Sequence, residues 1–487
     1  MPKTIIIGAG IAGIATAIRL SAQGHEVQVL EANTYPGGKL SSFEQDGYRF
    51  DAGPSLFTLP HLVTELFDLC GEDATEHFRF TKQAHACHYF WNDGTSFEMP
   101  GDKEKIALAI SQQFNEPSKQ VQDYLDKSTL KYESTKSIFL EKSLHKLSTY
   151  FSLETLKALL QTSKLNLFQS LHEVNRKAFK DPKLVQLFDR FATYNGSSPY
   201  QTPGIMSMIP HLEMGIGTFF PEGGMQSITN SLVALAKRQG VRFQFESPVE
   251  ELIIERNRVE GARVNGQVYK ADHFISNMDI FSTYKRLLPH TKHPERILNQ
   301  ERSSSALIFY WGVKVQTPAL SLHNILFSDY YEEEFDFIFN KKEVHPDPTV
   351  YINISSKCEP NDAPKHCENW FVMINTPGDF GQDWSSIIDE ARSNIQAKIK
   401  KVLGIDMKEV IQTEAILDPQ SIERKTKSHL GALYGTASNN RYAAFLRHAN
   451  FSKQYKNLYF CGGSVHPGGG IPLCLKSAQI VSNLIAE

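Results

Sequence analysis

The chain begins with a short apolar run, a glycine-rich turn, and a segment that has the apolar spacing of a helix. Residues 4–7 form the apolar run, residues 11–20 have the helical spacing, and residues 26–30 form a second apolar run. A strand, a helix and a second strand in this order are the elements of a βαβ unit, which pairs its two strands in parallel. The pattern therefore predicts an α/β fold at the N terminus.

The rest of the chain divides into a helix-rich block and a strand-rich block. From about residue 74 to 218, charged segments punctuated by Leu and Phe predict helices, and a further helix is predicted over residues 385–402. Alternating or aromatic-rich runs predict strands at residues 241–245, 249–254, 306–313, 349–354 and 370–375. A final apolar strand, a glycine-rich loop and a helix over residues 473–486 are predicted to close the chain.

The turn after the first strand has the spacing of a dinucleotide-binding motif. Gly8 allows the tight turn, Gly10 lets the backbone approach a pyrophosphate, and Gly13 lets the helix pack closely on the strand. The phosphates then lie at the helix N terminus, where free N–H groups and the helix dipole favour an anion. Glu31 ends the second strand, where it can accept hydrogen bonds from a ribose 2′-hydroxyl, so the motif favours FAD or NAD over NADP.

Further glycine-rich segments predict that the ligand includes a flat ring. Lys39 follows two glycines and brings a cation within reach of the same phosphates. Ser55 follows a Gly-Pro break of the kind that lets backbone run against a ring where side chains would obstruct it. Residues 462–470 carry five glycines directly before the closing helix and offer a second surface of this kind.

Composition and charge narrow the functional classes. The 487 residues exceed one ordinary core, so two domains are expected. Lys and Arg number 51 against 54 Asp and Glu, and this near balance argues against a nucleic-acid partner. The six cysteines include no Cys-x-x-Cys pair, so free thiols and no metal site are expected. Arg19 and the early glycines argue against a signal peptide, and no apolar stretch approaches about 18 residues, so a cytoplasmic protein is expected.

Five segments stand in an order that resembles the bacterial phytoene-desaturase-type carotenoid oxidoreductases. They are the first glycine turn with Glu31, the Gly-Gly-Lys segment, the Gly-Pro-Ser segment, the helix entry at residues 221–225, and the glycine-rich end. These enzymes are flavoproteins of the glutathione-reductase-like superfamily, which includes the amine oxidases. The most specific stretches are residues 457–472 and 191–200, and the latter is similar to carotenoid 3,4-desaturases that act on hydroxylated substrates.

The resemblance covers nearly the whole chain and implies its domain organisation. It implies an α/β fold with a Rossmann-like FAD-binding domain, glutathione-reductase-like and amine-oxidase-type, with an interleaved α+β substrate domain and a helical insertion. The FAD-binding domain is expected at residues 1–73, 219–289 and 441–487. The helical insertion, which would face substrate and membrane, is expected at residues 74–218, and the sheet of the substrate domain at residues 290–440.

The resemblance also implies a binding site for FAD. Binding is expected to be non-covalent, with Cys461 remaining a buried free thiol. The implied FAD contacts are Gly8, Gly10 and Gly13 at the pyrophosphate, Glu31 at the ribose, Lys39 at the phosphates, Ser55 and Leu56 at the flavin, Val249 at the adenine, and Asn277, Leu433, Gly463, Gly470 and Ile471 along the remainder.

The reaction implied is the removal of two hydrogens from a long polyene, as 3,4-desaturation of a 1-hydroxylated acyclic carotenoid in carotenoid biosynthesis. The flavin must accept the two electrons, because no amino-acid side chain can. No catalytic base is identified. His466, in the loop nearest the flavin, is a candidate, and a histidine held by backbone is the alternative. His211 and Glu213 are candidates for contacting a polar end of the substrate, with core or surface roles as the alternative.

Other functions share these motifs. A phytoene or carotene desaturase of different regiospecificity would form a different product. A redox-neutral carotenoid isomerase and a retinoid saturase would differ from a 3,4-desaturase in the electron balance of their reactions. An amine or porphyrinogen oxidase would lack the resemblance at residues 191–200. A prenyl-binding escort protein on the same fold is the non-enzymatic alternative, and it would not need an intact flavin site. The external electron acceptor, oxygen or a quinone, is left open.

A water-insoluble substrate implies contact with a membrane. Residues 144–168 alternate bulky apolar residues with Lys146, Lys157 and Lys164, which is typical either of core packing or of a surface that lies on one leaflet. We expect the protein to be peripherally associated with the inner face of the cell membrane, with this stretch near the entrance for the carotenoid.

Overall fold

The structure is a computed structural model that describes residues 1–146, 149, 165–440, 442 and 446–487, and only the backbone of Ile138. The strands are β1 Lys3–Ile7, β2 Glu26–Leu30, β3 Ser42–Gln45, β4 Tyr48–Asp51, β5 Phe80–Lys82, β6 His85–Phe90, β7 Ser96–Pro100, β8 Phe219–Pro221, β9 Arg242–Gln244, β10 Val249–Glu255, β11 Arg258–Val264, β12 Gln267–Tyr269, β13 His273–Ser276, β14 Ser305–Val313, β15 His323–Leu326, β16 Val350–Asn353, β17 Glu368–Thr376, β18 Ile411–Leu417 and β19 Leu458–Phe460.

The described helices are separated by these strands and by shorter turns. They are α1 Ile11–Ala22, α2 His61–Leu69, α3 Lys103–Phe114, α4 Ser118–Phe139, α5 Leu171–Ala178, α6 Pro182–Asp189, α7 Gln226–Arg238, α8 Ile280–Ser282, α9 Glu295–Leu298, α10 Tyr331–Asp336, α11 Trp384–Leu403, α12 Met407–Val410, α13 Pro419–Thr426 and α14 Ile471–Ala486. The turns Arg190–Asn195 and His211–Ile216 carry residues that are important below.

A five-stranded parallel sheet in the order β19-β13-β1-β2-β9 forms one half of the protein. β1 lies at its centre and is buried on both faces, because Ile6 packs in one core cluster while Ile5 and Ile7 pack in another. Strands from the two ends of the chain meet here, since β19 pairs with β13 and β13 pairs with β1. The parallel sheet between helices confirms the predicted α/β fold with a Rossmann-like domain.

A seven-stranded, mostly antiparallel sheet in the order β18-β14-β17-β16-β15-β6-β7 forms the other half. Its strand β14 is buried throughout, with alternate residues in two core clusters. Phe309 lies in the cluster that includes Ile395 of α11, and Tyr310 in the one that includes Phe50 of β4. Both faces of β14 are therefore buried, which explains the run of aromatic residues in its sequence.

Two strands of this sheet come from the range predicted to be a helical insertion. β6 pairs in parallel with β15, and β7 pairs with β6 at the edge of the sheet. α3, α4 and α6 contribute to the core cluster on these strands, for example through Ile110, Val121 and Phe188. α3, α4 and α6 therefore pack on the seven-stranded sheet, while the domain boundaries stay a prediction.

The predicted leaflet-facing stretch is described only in part. Leu144 and Leu165 are buried, whereas Phe168 is 85% exposed. Lys146 forms an ion pair with Glu487. Residues 147, 148 and 150–164 lie outside the described residues, and they include Lys157 and Lys164. Among the helices that the structure describes, none is long and apolar enough to cross a membrane.

Candidate functional site

A cavity of about 1290 Å³ lies between the two large sheets. On one side it is lined by residues at the carboxyl ends of the parallel strands, such as Ile7, Leu30 and Asn277. On the other side it is lined by the seven-stranded sheet, for example by Tyr310 and Met373. Ligands of open α/β sheets bind at the carboxyl ends of the strands. The volume exceeds the roughly 300–1,000 Å³ of ordinary small-molecule pockets, so there is room for more than one ligand.

The first glycine turn is built for close packing between backbone segments. A Cβ added to Gly13 would lie 2.3 Å from the carbonyl oxygen of Gly8, and one added to Gly10 would lie 2.7 Å from Oδ1 of Asn277. Gly10 precedes α1 as its N-cap and offers no side chain to the first N–H groups of that helix. Gly8 and Gly10 line the cavity together with Ile11. The helix start therefore presents uncapped backbone to the cavity, which suits an anionic ligand.

Glu31 is held at the end of β2 by three hydrogen bonds. Its Oε2 accepts from the backbone N–H of Ala9 at 2.6 Å, and its Oε1 accepts from the backbone N–H and the side-chain amide of Asn33 at 2.8 and 2.9 Å. Its carboxylate is buried and lies in the cavity wall. Because a carboxylate has about four acceptor positions, these contacts orient Glu31 and leave capacity for a ligand hydroxyl.

Lys39 is a half-buried cation in the cavity wall. Its Nζ donates to the carbonyl oxygens of Ala432 and Leu433, both at 2.9 Å. Burial lowers the pKa of Lys39 to about 8, although the charge of Asp279 works in the opposite direction. The sequence did not predict the contact with residues 432 and 433. A nearby anion would stabilise the charged form of Lys39 and raise its pKa, so this ammonium suits an anionic ligand.

The glycine-rich end of the chain forms a second surface of exposed backbone. A Cβ added to Gly469 would lie 2.7 Å from Cα of Tyr434, and one added to Gly435 would lie 2.6 Å from Cα of Ser464. α14 begins directly after Gly470, whose φ of +99° favours glycine. Together with the first turn, this surface fits a dinucleotide that carries a flat ring, since side chains are absent where the backbones approach.

Twelve of the thirteen residues predicted to contact FAD lie in the wall of this one cavity. They are Gly8, Gly10, Glu31, Lys39, Ser55, Leu56, Val249, Asn277, Leu433, Gly463, Gly470 and Ile471. The thirteenth, Gly13, instead packs α1 against the turn at Gly8. Cys461 is buried outside the cavity wall, and burial raises its pKa to about 12. The individual roles at the cofactor stay predictions.

A buried polar cluster around Glu213 contributes to the wall of the same cavity. Nη2 of Arg190 donates to Oε1 of Glu213 at 2.5 Å and also to the hydroxyl of Tyr89. The hydroxyl of Tyr194 donates to the second oxygen of Glu213. Burial and the Glu213 carboxylate raise the pKa of Tyr194, so this hydroxyl keeps its proton at neutral pH. The ion pair between Arg190 and Glu213 is thus a polar site in a cavity wall that is otherwise largely apolar.

The two predicted substrate contacts are separated by the fold. Glu213 lies in the cavity wall, but its carboxylate is already paired with Arg190. His211 does not line the cavity. Its Nδ1 lies 2.9 Å from Oγ1 of Thr129, and its ring packs against Tyr132 of α4. Glu213 is therefore placed beside the cavity, whereas His211 packs the turn His211–Ile216 onto α4.

His466 lies in the cavity wall as a neutral imidazole. Its Nε2 donates to the carbonyl oxygen of Lys142 at 3.0 Å, and its Nδ1 has no hydrogen-bond partner among the residues that the structure describes. Burial lowers the pKa of His466 to about 4. A group with this pKa is a weak proton acceptor at neutral pH, so the geometry favours a structural contact over general-base catalysis.

The sequence did not reveal several polar residues of the cavity wall. Arg190 and Tyr194 belong to a helical turn, and His323 and Tyr351 belong to the short strands β15 and β16. Tyr194 lies in residues 191–200, which the sequence marked only through a resemblance, and the signal for His323 and Tyr351 was a polar residue within a strand. Such residues are common in sheets, so the signal becomes informative only when the cavity is known.

Comparison with known proteins relates the cavity to a family. Residues 11–486 match the family described as flavin containing amine oxidoreductase. The chain is 57% identical over 485 residues to 1-hydroxycarotenoid 3,4-desaturase from Flavobacterium sp. (strain P99-3), covering 100% of this chain and 99% of that protein. It is 30% identical to phytoene desaturase from Fusarium fujikuroi, covering 100% of this chain and 89% of that protein.

Solved structures support the same assignment at the level of the fold. Cyclohexylamine oxidase from Brevibacterium oxydans IH-35A aligns with a TM-score of 0.62 at 15% identity, covering 100% of this chain and 98% of that one. The similarity extends over both large sheets and thus over both sides of the cavity. These matches confirm the resemblance found in the sequence, and the chain belongs to the flavin containing amine oxidoreductase family.

Proposed function

We propose that this protein is an FAD-dependent carotenoid desaturase that introduces the 3,4 double bond into a 1-hydroxylated acyclic carotenoid. The observation that carries the proposal is the 57% identity, over the full chain, to a relative named for this reaction. The cavity supports it, because it continues from the glycine turn to the apolar wall of the seven-stranded sheet. A dinucleotide bound at the glycine turn and a polyene bound against the seven-stranded sheet would together occupy the cavity.

FAD is the proposed flavin because the site has features for both halves of a dinucleotide. The uncapped start of α1 and the carboxylate of Glu31 suit the pyrophosphate and the ribose of the adenosine part. The second glycine surface, before α14, suits the ring. Non-covalent binding is proposed because Cys461, the cysteine next to the glycine-rich loop, is buried outside the cavity wall.

The chemistry of desaturation divides between the cofactor and the chain. When bound, FAD supplies a two-electron acceptor for the hydride that leaves one carbon while a proton leaves its neighbour. The chain holds the polyene against the ring and keeps water away. Apolar side chains suited to this task line the wall, among them Ile308, Ile325, Phe335, Phe371 and Met373. Neutral His466 does not have the pKa of an efficient base, so we assign the proton to no residue.

We also propose that the protein binds peripherally to the cytoplasmic leaflet of the cell membrane. A long polyene is confined to the bilayer, so an enzyme that takes it up must open towards the lipid. Residues 132, 133, 135, 136 and 139–141, at the end of α4 and directly after it, belong to the cavity wall and precede the stretch predicted to face the leaflet. The exposed ring of Phe168 is at the end of that stretch and suits insertion among lipids.

Anaerobic mixing of the FAD-loaded protein with a 1-hydroxylated carotenoid tests the function. Bleaching of the flavin together with a red shift of the polyene spectrum is expected, because the carotenoid loses two electrons and its conjugation lengthens. A polyene shift without bleaching would indicate a redox-neutral isomerase. Bleaching only with an amine, or no flavin on the purified protein, would overturn the proposal. Readmission of oxygen or addition of a quinone then identifies the external acceptor.

A further inference from the structure

The proposed reaction restricts where the substrate hydroxyl can lie, and the inference below rests on that proposed function. In a 1-hydroxylated carotenoid that is desaturated at C3 and C4, three bonds of about 1.5 Å separate the oxygen from C3, which places it at most about 4 Å from this carbon. C3 and C4 must contact the flavin for hydride transfer. A residue that recognises the hydroxyl must therefore lie close to the segments predicted to hold the flavin.

A hydrogen-bonded chain of side chains begins at one of those segments. Ser55, in the segment predicted to run against the ring, has its Oγ 2.8 Å from the hydroxyl of Tyr351. The hydroxyl of Tyr351 lies 2.8 Å from Nδ1 of His323. All three residues line the cavity. The chain thus leads from the predicted flavin surface to a histidine in the wall of the seven-stranded sheet.

The direction of this chain follows from Asn353. Its Nδ2 donates to the carbonyl oxygen of Leu322 at 3.1 Å, which identifies this atom as the amide nitrogen, and it lies 3.2 Å from Nδ1 of His323. Because an amide nitrogen can only donate, Nδ1 of His323 is an acceptor and carries no proton. Tyr351 therefore donates to Nδ1, and the proton of the neutral ring is on Nε2.

The Nε2–H of His323 is left without an acceptor. No described residue forms a hydrogen bond with it, although His323 is only 2% exposed. Burial, and secondarily the charge of Arg190, lowers the pKa of His323 to about 3, so the ring stays neutral at physiological pH. A buried donor with no partner costs free energy in the protein alone and is satisfied when a ligand supplies an oxygen.

We propose that His323 is a specificity-determining residue whose Nε2–H donates a hydrogen bond to the C1 hydroxyl of the carotenoid. The neighbouring polar cluster is less suited to this task, because Glu213 is already occupied by Arg190 and Tyr194. Ser55, Tyr351 and Asn353 act as positioning residues that fix the tautomer of His323. The bond selects hydroxylated carotenoids and aligns C3 and C4 of the hydroxylated end with the flavin.

The test compares a 1-hydroxylated carotenoid with the same polyene that lacks the hydroxyl. The preference is the ratio of the two kcat/KM values. His323→Leu removes the donor and is expected to lower this ratio by about 10- to 100-fold, mainly through a higher KM for the hydroxylated substrate. His323→Gln, whose Nε2 can donate from a similar position, is expected to keep most of the preference. Flavin content and the binding spectrum of each substrate are measured alongside.

His88→Leu is the matched control. His88 lies on the adjacent strand β6, where its Nδ1 is 3.1 Å from the carbonyl oxygen of Ala319, and it does not line the cavity. The same change there is expected to leave the preference unchanged. An unchanged ratio in His323→Leu, or an equal loss in His323→Gln, would overturn the role of His323 while leaving the desaturase function intact. Conversion of neither polyene by the wild type would overturn both.

Discussion

The two sides of the cavity are built by different means. The glycine side, formed by the turn at residues 8–13 and the loop at 462–470, presents backbone, and Cβ atoms added to Gly13 or Gly469 would meet other backbone atoms. The sheet side, formed by β14–β17 and the turns Arg190–Asn195 and His211–Ile216, presents side chains with buried polar groups among apolar ones. A backbone surface suits a cofactor common to a family, whereas a side-chain surface can change with the substrate.

The two sides of the cavity also differ in what limits amino-acid substitution. On the glycine side, the obstacle to a substitution is steric and comes from atoms that cannot move. On the sheet side, the obstacle is electrostatic, because removing one member of a buried pair leaves the other uncompensated. Substitutions on each side of the cavity can contradict this distinction.

Arg190→Met is expected to have the largest effect. It leaves the Glu213 carboxylate buried without its cation, which costs about 3 to 5 kcal/mol of unfolding free energy. Denaturant unfolding of the FAD-loaded protein measures this loss. Arg190→Met combined with Glu213→Gln should recover part of it, because the buried charge is then removed. A loss of unfolding free energy below about 1 kcal/mol in Arg190→Met alone would contradict an electrostatic obstacle to substitution on the sheet side.

Gly13→Ala is the steric counterpart on the glycine side. The new Cβ would lie 2.3 Å from the carbonyl oxygen of Gly8, so α1 must move away from the turn. We expect a loss of about 3 kcal/mol in unfolding free energy and loss of bound flavin. Gly24→Ala, just beyond the other end of α1, meets no atom of the described residues within 4 Å and should cost about 1 to 2 kcal/mol through its positive φ, with flavin retained. Equal flavin content in the two variants would contradict the steric explanation.

Glu31→Gln tests the one charged contact predicted for the cofactor ribose. The affinity for FAD should fall by about 1 to 3 kcal/mol, because a charge-assisted acceptor is replaced by a neutral amide. Titration of the apoprotein with FAD measures the dissociation constant. Asn33→Ala, which removes only the amide that orients Glu31, should have a smaller effect. An unchanged constant in Glu31→Gln would show that the ribose is not held there.

The affinity for FAD should also depend on pH through Lys39. With its pKa near 8 in the protein alone, Lys39 is charged below pH 8 and loses its proton above it. If an anionic cofactor raises this pKa, affinity is full below pH 8 and falls above it by up to about tenfold per pH unit. Lys39→Met should bind more weakly and lose this dependence. The same pH profile in wild type and Lys39→Met would exclude Lys39 as the counter-charge.

The smallest expected effect concerns the membrane. Phe168→Ser should weaken binding to anionic vesicles by about 1 kcal/mol, because one exposed ring no longer inserts. Vesicle flotation at low salt measures it. Phe380→Ser is the control, since Phe380 is also exposed, at 52%, but belongs to the loop before α11. Equal flotation of wild type and Phe168→Ser would place the membrane contact elsewhere.

Much of the fold could be predicted because its signals are local. The first strand, the glycine turn and the helix α1 follow from residues within one short stretch. The predicted strands at residues 306–313 and 370–375 and the helix at 385–402 correspond to β14, β17 and α11 within two residues at each end. The glycine spacing likewise specified a cofactor site, because the requirement for missing side chains is visible in the sequence itself.

Only the tertiary structure decided which distant residues meet. Ser55, His323 and Tyr351 are far apart in the chain and form one hydrogen-bonded chain, and β6 leaves the predicted helical region to pair with β15. The partners of Lys39, the carbonyls of residues 432 and 433, are equally distant in sequence. Local periodicity specifies elements, whereas the pairing of strands and the burial of polar groups depend on contacts across the whole chain. Because burial sets the pKa values of Lys39, His323 and His466, their chemistry could be read only from the folded protein.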